Sequence, residues 1–191
     1  MKKSILLAFY FTLALHVIHA QNVKFYNVVE EKGRFIVSNT ILMEVASDNT
    51  IWGYYGWAAQ GLSEYYLSGK IEGAKIIGTL TTLSDNTYSE PINWTVLPNA
   101  IKASTPMGID HVNSSTASPI SEDALLTFYE EPSFNSKLMA SDYMPSGKNA
   151  QIVQVGKVEK NKDSNEGYNI WYKVKTNDIE GWVFGAMHVL F

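Results

Sequence analysis

The chain has 191 residues, contains no cysteine and carries a formal net charge of −4. The lack of cysteine excludes disulfides, thiolate nucleophiles and cysteine-type metal sites, and the negative charge argues against nucleic acid and anionic membrane surfaces as partners. The 11 tyrosines and 5 tryptophans favour strands over helices. We therefore expect an all-β protein of one large or two small units.

The first twenty residues have the pattern of a secretory signal peptide. Lys2 and Lys3 form a short positive region, residues 5–18 are almost all apolar, and Ala20 offers a cleavage point before Gln21. An uncleaved anchor is the alternative, but the apolar run is short for a bilayer span and no later stretch of 18 apolar residues exists. We expect residues 1–20 to be removed, leaving an exported protein, periplasmic or extracellular, without a membrane span.

Residues 22–103 are rich in strand-forming residues and in turn signals. Two strands are expected within residues 23–45, and a hairpin is expected where residues 65–71 and 74–83 flank Glu72-Gly73. Another strand is expected at residues 92–96. The pattern predicts an antiparallel β-meander or sandwich of five to seven strands.

An unusually aromatic stretch lies within this first unit, at residues 51–67. It holds Trp52, Tyr54, Tyr55 and Trp57, followed by Tyr65 and Tyr66. Aromatic residues at this density either fill the core of a small β-domain or form a platform on which a flat ligand such as a sugar can stack. In the second case Trp52, Tyr54, Tyr55 and Trp57 would line the pocket of a small-ligand or glycan-binding domain.

The composition changes at residues 104–121, where serine, threonine, proline, glycine and asparagine dominate. Such a segment has too little apolar surface to pack, so it predicts a linker between residues 22–103 and a second domain at residues 122–191.

Few residues suit catalysis. After the signal peptide only His111 and His188 remain as histidines, and two isolated histidines do not make a zinc site. Glu64, next to Tyr65 in the aromatic stretch, is the one acid that fits an envelope hydrolase, although a solvated glutamate is the simpler interpretation. The sequence therefore predicts a protein without a cofactor and, in the first instance, without enzymatic activity.

The C-terminal residues 169–185 predict a closing hairpin of two aromatic strands joined by a polar turn at residues 176–178. Trp171 and Lys173 alternate with Tyr172 and Val174, so one strand face is polar and amphipathic and the other apolar. The pattern resembles the end of bacterial Src-homology-3-like domains, which reads Trp-Tyr-x-Val, a polar turn and Gly-Trp-Val. The residues that carry this resemblance are Trp171, Tyr172, Val174, Gly181, Trp182 and Val183.

Upstream residues extend the resemblance over residues 122–191. Leu126 to Tyr129 occupy the position of the family's first strand, and residues 151–155 that of its second. The first strand departs from the family, because Thr127 and Tyr129 stand where asparagine and arginine are common. The resemblance implies a small β-barrel of about five strands.

Function also follows from this resemblance, as an expectation. Related domains of exported proteins are thought to bind cell-wall peptides or other extended ligands, so the expected partner is a cell-wall peptide or an envelope protein. By position, the expected ligand-binding residues are Tyr129, Tyr143, Trp171, Tyr172 and Trp182. The alternative for Trp171, Tyr172 and Trp182 is that they mainly fill the barrel.

Overall fold

The structure is a computed structural model that describes residues 22–32, 35–59, 61–103, 111–116, 119–120, 124–143, 150–162 and 167–185. The expected all-β class is confirmed, since the described residues form thirteen strands and no helix. The predicted signal peptide and His188 lie outside these residues. The strands are β1 (Val23–Lys32), β2 (Phe35–Val45), β3 (Thr50–Ala58), β4 (Leu62–Glu72), β5 (Lys75–Thr82), β6 (Ser89–Leu97), β7 (Ala100–Lys102), β8 (His111–Ser114), β9 (Leu126–Tyr129), β10 (Leu138–Tyr143), β11 (Gln151–Lys160), β12 (Tyr168–Lys175) and β13 (Glu180–Phe184).

The first eight strands form a closed antiparallel barrel in which each strand pairs with the next along the chain. The barrel closes where β8 returns to β1, with Tyr26 opposite Ser114 and Asn27 opposite Asn113. The hairpin expected around Glu72-Gly73 is confirmed as β4 and β5, and Gly73 takes the positive φ of 59° that its turn requires. Closure removes the unpaired edges that an open sheet would expose.

Side chains that alternate along the strands fill the barrel interior. On β2, Ile41 and Met43 point inward, whereas Leu42 points outward. The interior is occupied by Tyr26, Ile41, Met43, Ile51, Tyr55, Leu67, Ile76, Leu80, Ile92, Trp94, Ile101, Ala103 and Val112. The barrel is therefore packed by its own aliphatic and aromatic residues.

The linker prediction is wrong for residues 111–114, because they form β8 and complete the barrel. Val112 is fully buried opposite Ile101, while His111 and Asn113 face solvent. The polar composition of the segment misled the prediction, since a strand that supplies backbone hydrogen bonds on both sides needs few apolar residues of its own. Ile120, further along the same segment, is also buried.

The last five strands form a second sheet, with the order β10, β9, β13, β12, β11. The closing hairpin is confirmed, with Tyr172 opposite Val183 and Val174 opposite Gly181. β10 was not predicted from the sequence, and its irregular pairing with β9 includes Asp142 at a φ of 51°. A Src-homology-3-like identity for this sheet remains a prediction.

The barrel and the second sheet share a hydrophobic core. One face of the sheet contributes Phe128, Ile170, Tyr172, Val174 and Val183, all buried. The outer wall of the barrel contributes Leu42, Tyr54 and Ala58 to the same cluster. The sheet therefore uses the barrel wall as its second layer, as a two-layer β-architecture requires.

Candidate functional site

The face of the second sheet that points away from the barrel carries a group of aromatic side chains. Side chains alternate between the two faces along each strand, so the residues next to the core residues point away from the barrel. On this outer face lie Tyr129 of β9, Trp171 of β12, and Trp182 and Phe184 of β13. Phe134, from the loop between β9 and β10, lies over them. Its ring centroid is 5.0 Å from that of Trp171 and 4.8 Å from that of Phe184.

Trp171 is a buried member of this aromatic group on which other rings pack, and its contacts hold it in place. It has no exposed surface, and its indole N–H donates to the Glu159 carboxylate at 2.7 Å. Tyr129 and Phe184 pack edge-on or tilted against it, at centroid distances of 5.4 and 5.1 Å. Such contacts hold aromatic side chains in defined positions.

A groove of about 230 Å³ runs beside these rings. Its lining residues are Leu125, Leu126, Thr127, Tyr129, Phe134, Val183, Phe184 and Gly185. β9 and β13 pair at two positions over their described length, Tyr129 with Trp182 and Phe128 with Val183. The ladder therefore stops beside the groove, where Leu125 presents 62% of its surface to solvent.

The structure brings three of the five expected C-terminal ligand residues to this face. Tyr129 lines the groove, and Trp171 and Trp182 lie on the same face but are buried. Tyr143 packs instead against the core residue Phe128, and its hydroxyl donates to Asp178 at 3.0 Å. Tyr172 is fully buried in the shared core, so it is not available for contact with a ligand at the surface.

The aromatic residues 52–57 do not line one pocket, because strand alternation divides them between two faces of β3. Tyr55 and Trp57 belong to the barrel interior. Trp52 and Tyr54 point outward and pack between the barrel and the second sheet. Adjacent positions in the sequence suggested a single platform, but a strand sends Tyr54 and Tyr55 in opposite directions.

A second groove, of about 300 Å³, lies where the barrel meets the hairpin of β11 and β12. We call it the junction groove. It is lined by Leu62, Ser63, Glu64, Tyr65, Thr82, Leu83, Ser84, Asn161, Gly167, Tyr168 and Asn169. Two backbone hydrogen bonds fix its walls: Leu83 N donates to Glu64 O at 2.9 Å, and Tyr168 N donates to Leu83 O at 2.6 Å.

Glu64, the acid that the sequence singled out, is held in place at this groove. The hydroxyl of Tyr54 donates to its carboxylate at 3.0 Å. Tyr54 reaches Glu64 by leaning over Gly56, the cross-strand partner of Glu64, where a Cβ would collide with the phenol. Burial, together with the charge of Glu64, raises the pKa of Tyr54 far above its usual value.

Tyr172 lies in the shared core near this carboxylate. Burial raises the pKa of Tyr172 strongly, and the nearby Glu64 carboxylate and Tyr66 phenol raise it further. The Tyr172 hydroxyl is buried and has no hydrogen-bond partner among the described residues. A buried hydroxyl without a hydrogen-bond partner lowers the stability of the folded protein, so the Tyr172 hydroxyl is an unfavourable feature of the shared core.

Sequence reasoning missed several residues that line the grooves. Phe184 could have been found, because it alternates with Val183 and so shares a face with Trp182. Phe134 and Leu125 lie outside the strands, where no periodicity reveals which way a side chain points. Ser63, Ser84 and Asn161 come from distant parts of the chain that meet only in the folded structure.

Within the described ranges, no group of three or more histidine, aspartate or glutamate side chains could hold a metal ion. The same ranges contain no helix long and apolar enough to cross a membrane. Comparison with protein-family models, with curated proteins and with solved structures finds no match to the chain.

Proposed function

We propose that this is an exported, non-enzymatic binding protein whose second sheet takes an extended peptide, such as a cell-wall peptide or a segment of an envelope protein. The observation that carries the proposal is the groove beside Tyr129, Phe134 and Phe184, bounded by a ladder that stops after two residue pairs. Export is inferred from the pattern of residues 1–20.

The groove offers the two features that extended peptides need. The described β9–β13 pairing ends at Phe128 and Val183, and Leu126, Thr127 and Phe184 line the groove beyond it, so backbone groups of a peptide can pair there as an added strand does. The apolar surface of Leu125 and the aromatic edges of Tyr129 and Phe134 suit a side chain of that peptide.

Charge at the rim favours a peptide with an acidic group. The ammonium group of Lys162 lies 5.7 Å from the ring centroid of Phe134, on the aromatic cover of the groove. A cation placed there attracts a carboxylate of the bound peptide, while its contact with the ring keeps it near the rim.

The test replaces Leu125 by glutamate and measures binding by fluorescence polarisation. The probes are labelled stem peptides of the bacterial cell wall and an array of unrelated extended peptides. Leu125 is largely exposed, so the substitution should leave folding intact and weaken peptide binding at least about tenfold by placing a charge in an apolar groove.

Ile77→Glu is the matched control, because Ile77 is an aliphatic residue of the barrel wall with 46% of its surface exposed. We expect this variant to bind peptide as the unsubstituted protein does. Equal losses in both variants, or no peptide bound by the unsubstituted protein, would contradict the proposal.

A further inference from the structure

The junction groove contains a hydrogen-bond acceptor whose orientation is fixed by the protein. Glu64 is half-buried and lines the groove, and one of its oxygens is already engaged by the Tyr54 hydroxyl. The phenol of Tyr54 lies over Gly56, and this position fixes the direction of its hydrogen bond to Glu64. The carboxylate is therefore oriented before any ligand arrives, which lowers the entropic cost of binding.

The rest of the lining mixes donors with acceptors. Hydroxyl groups come from Ser63, Thr82 and Ser84, an amide comes from Asn161, and Tyr168 adds a partly buried aromatic ring. Among the described residues that line the groove there is no lysine or arginine. Ligand hydroxyls both donate and accept hydrogen bonds, so they suit a lining that mixes donors with acceptors, whereas an ammonium group uses only the acceptors.

We infer that the junction groove binds a small hydroxyl-rich ligand, such as one sugar residue, through the Glu64 carboxylate. The volume of about 300 Å³ lies at the lower end of the range for small-molecule sites, which fits a single ring. The site lies between β4 of the barrel and the β11–β12 hairpin, and none of its described lining residues also lines the groove beside Tyr129 and Phe134.

Saturation-transfer NMR on the full protein tests the inference, with glucose, galactose, mannose and N-acetylglucosamine as separate probes. Binding of at least one sugar is expected. Glu64→Gln should weaken it at least about tenfold, because hydrogen bonds to a charged acceptor are stronger than those to a neutral amide. The Gln amide oxygen still accepts from Tyr54, so the fold should be kept.

Glu72→Gln is the control, since Glu72 lies on the same strand but is exposed at the opposite end of the barrel. Ser84→Trp is a second test variant. Ser84 is exposed at the groove, so an indole there should fill the mouth without disturbing the core. We expect full sugar binding by the control and no binding by the blocked variant.

Three outcomes would overturn the inference: no sugar binds, sugar binding persists in both groove variants, or methylamine and cadaverine bind in preference to sugars. Leu125→Glu should leave sugar binding unchanged. A failure of the peptide proposal is thus distinguishable from a failure here.

Discussion

The indole N–H of Trp52 donates to the backbone carbonyl of Val155 at 2.7 Å, joining the barrel wall to the outermost strand of the second sheet. The amide of Val155 donates in turn to the Glu44 carboxylate, also at 2.7 Å. β11 is an edge strand, and its pairing with β12 shifts register on both sides of Val155. Side chains of the barrel thus take the place of a neighbouring strand at this point of the edge.

Replacing Trp52 by phenylalanine should destabilise the protein by about 2 kcal/mol, because the Val155 carbonyl loses its donor and part of the indole's packing is lost. Urea unfolding followed by circular dichroism measures the change. Trp57→Phe is the matched control on the same strand, at a position that packs toward the barrel interior. A loss no greater for Trp52→Phe than for Trp57→Phe would argue against a role for the hydrogen bond.

Gly56→Ala should be destabilising by about 3 kcal/mol. The new methyl group collides with the phenol of Tyr54, and the side chain can move away only by giving up its hydrogen bond to Glu64. Gly61→Ala is the control, since a Cβ at Gly61 meets no atom within 4 Å. Thermal unfolding of the two variants compares them, and similar melting temperatures would refute this account of Gly56.

Removing one hydroxyl from each of two buried tyrosines should have opposite effects on stability. Tyr172→Phe deletes a hydroxyl without a partner and should stabilise the protein by about 1 kcal/mol. Tyr54→Phe deletes a donor to a carboxylate and should destabilise it by about 2 kcal/mol. Chemical unfolding in the absence of added sugars measures both, and a destabilised Tyr172→Phe variant would show that the hydroxyl has a partner.

The turn after β5 should respond to acid. The hydroxyl of Thr82 and the amide of Thr87 donate to Asp85 and lower the pKa of its carboxyl from 3.8 to about 2. A carboxyl group whose pKa is lowered by folding stabilises the protein at pH values above its pKa in the unfolded chain. This contribution is lost as the pH falls toward 2. The melting temperature of the unsubstituted protein should therefore exceed that of Asp85→Asn at pH 6, and the difference should shrink between about pH 4 and 2.

Thr82→Val provides the companion measurement for the acid response, because it removes the donor with the largest effect on Asp85. In this background the difference between Asp and Asn at position 85 should be smaller and should depend less on pH. An unchanged pH profile would assign the effect to other carboxyl groups.

Local patterns in the sequence were sufficient for the hairpins. The alternation at Tyr172 and Val174 gave the buried face of β12, and the turn residues gave the limits of β12 and β13. Barrel closure depends instead on pairing between β8 and β1, which are far apart in the chain. β8 has a single buried residue, Val112, so its sequence carries almost no signal for a strand.

The sites were harder to predict than the strands, for a physical reason. Tyr129 was found because it lies on a predicted strand, whereas Phe134 covers the groove from a loop whose path depends on the aromatic rings beneath it. Glu64 was noticed as an acid, but its orientation depends on Tyr54 leaning over Gly56. Contacts of this kind follow from tertiary packing and leave no periodic pattern.

The shared core determines how the chain can be divided in the laboratory. A cut between Ser114 and Ala124 would expose core residues on both fragments. The first fragment would expose Leu42 and Tyr54, and the second Phe128, Ile170, Val174 and the backbone of Val155. Each fragment produced alone would be prone to aggregation. Produced together, the two should reassemble, which makes this protein a natural starting point for a split reporter.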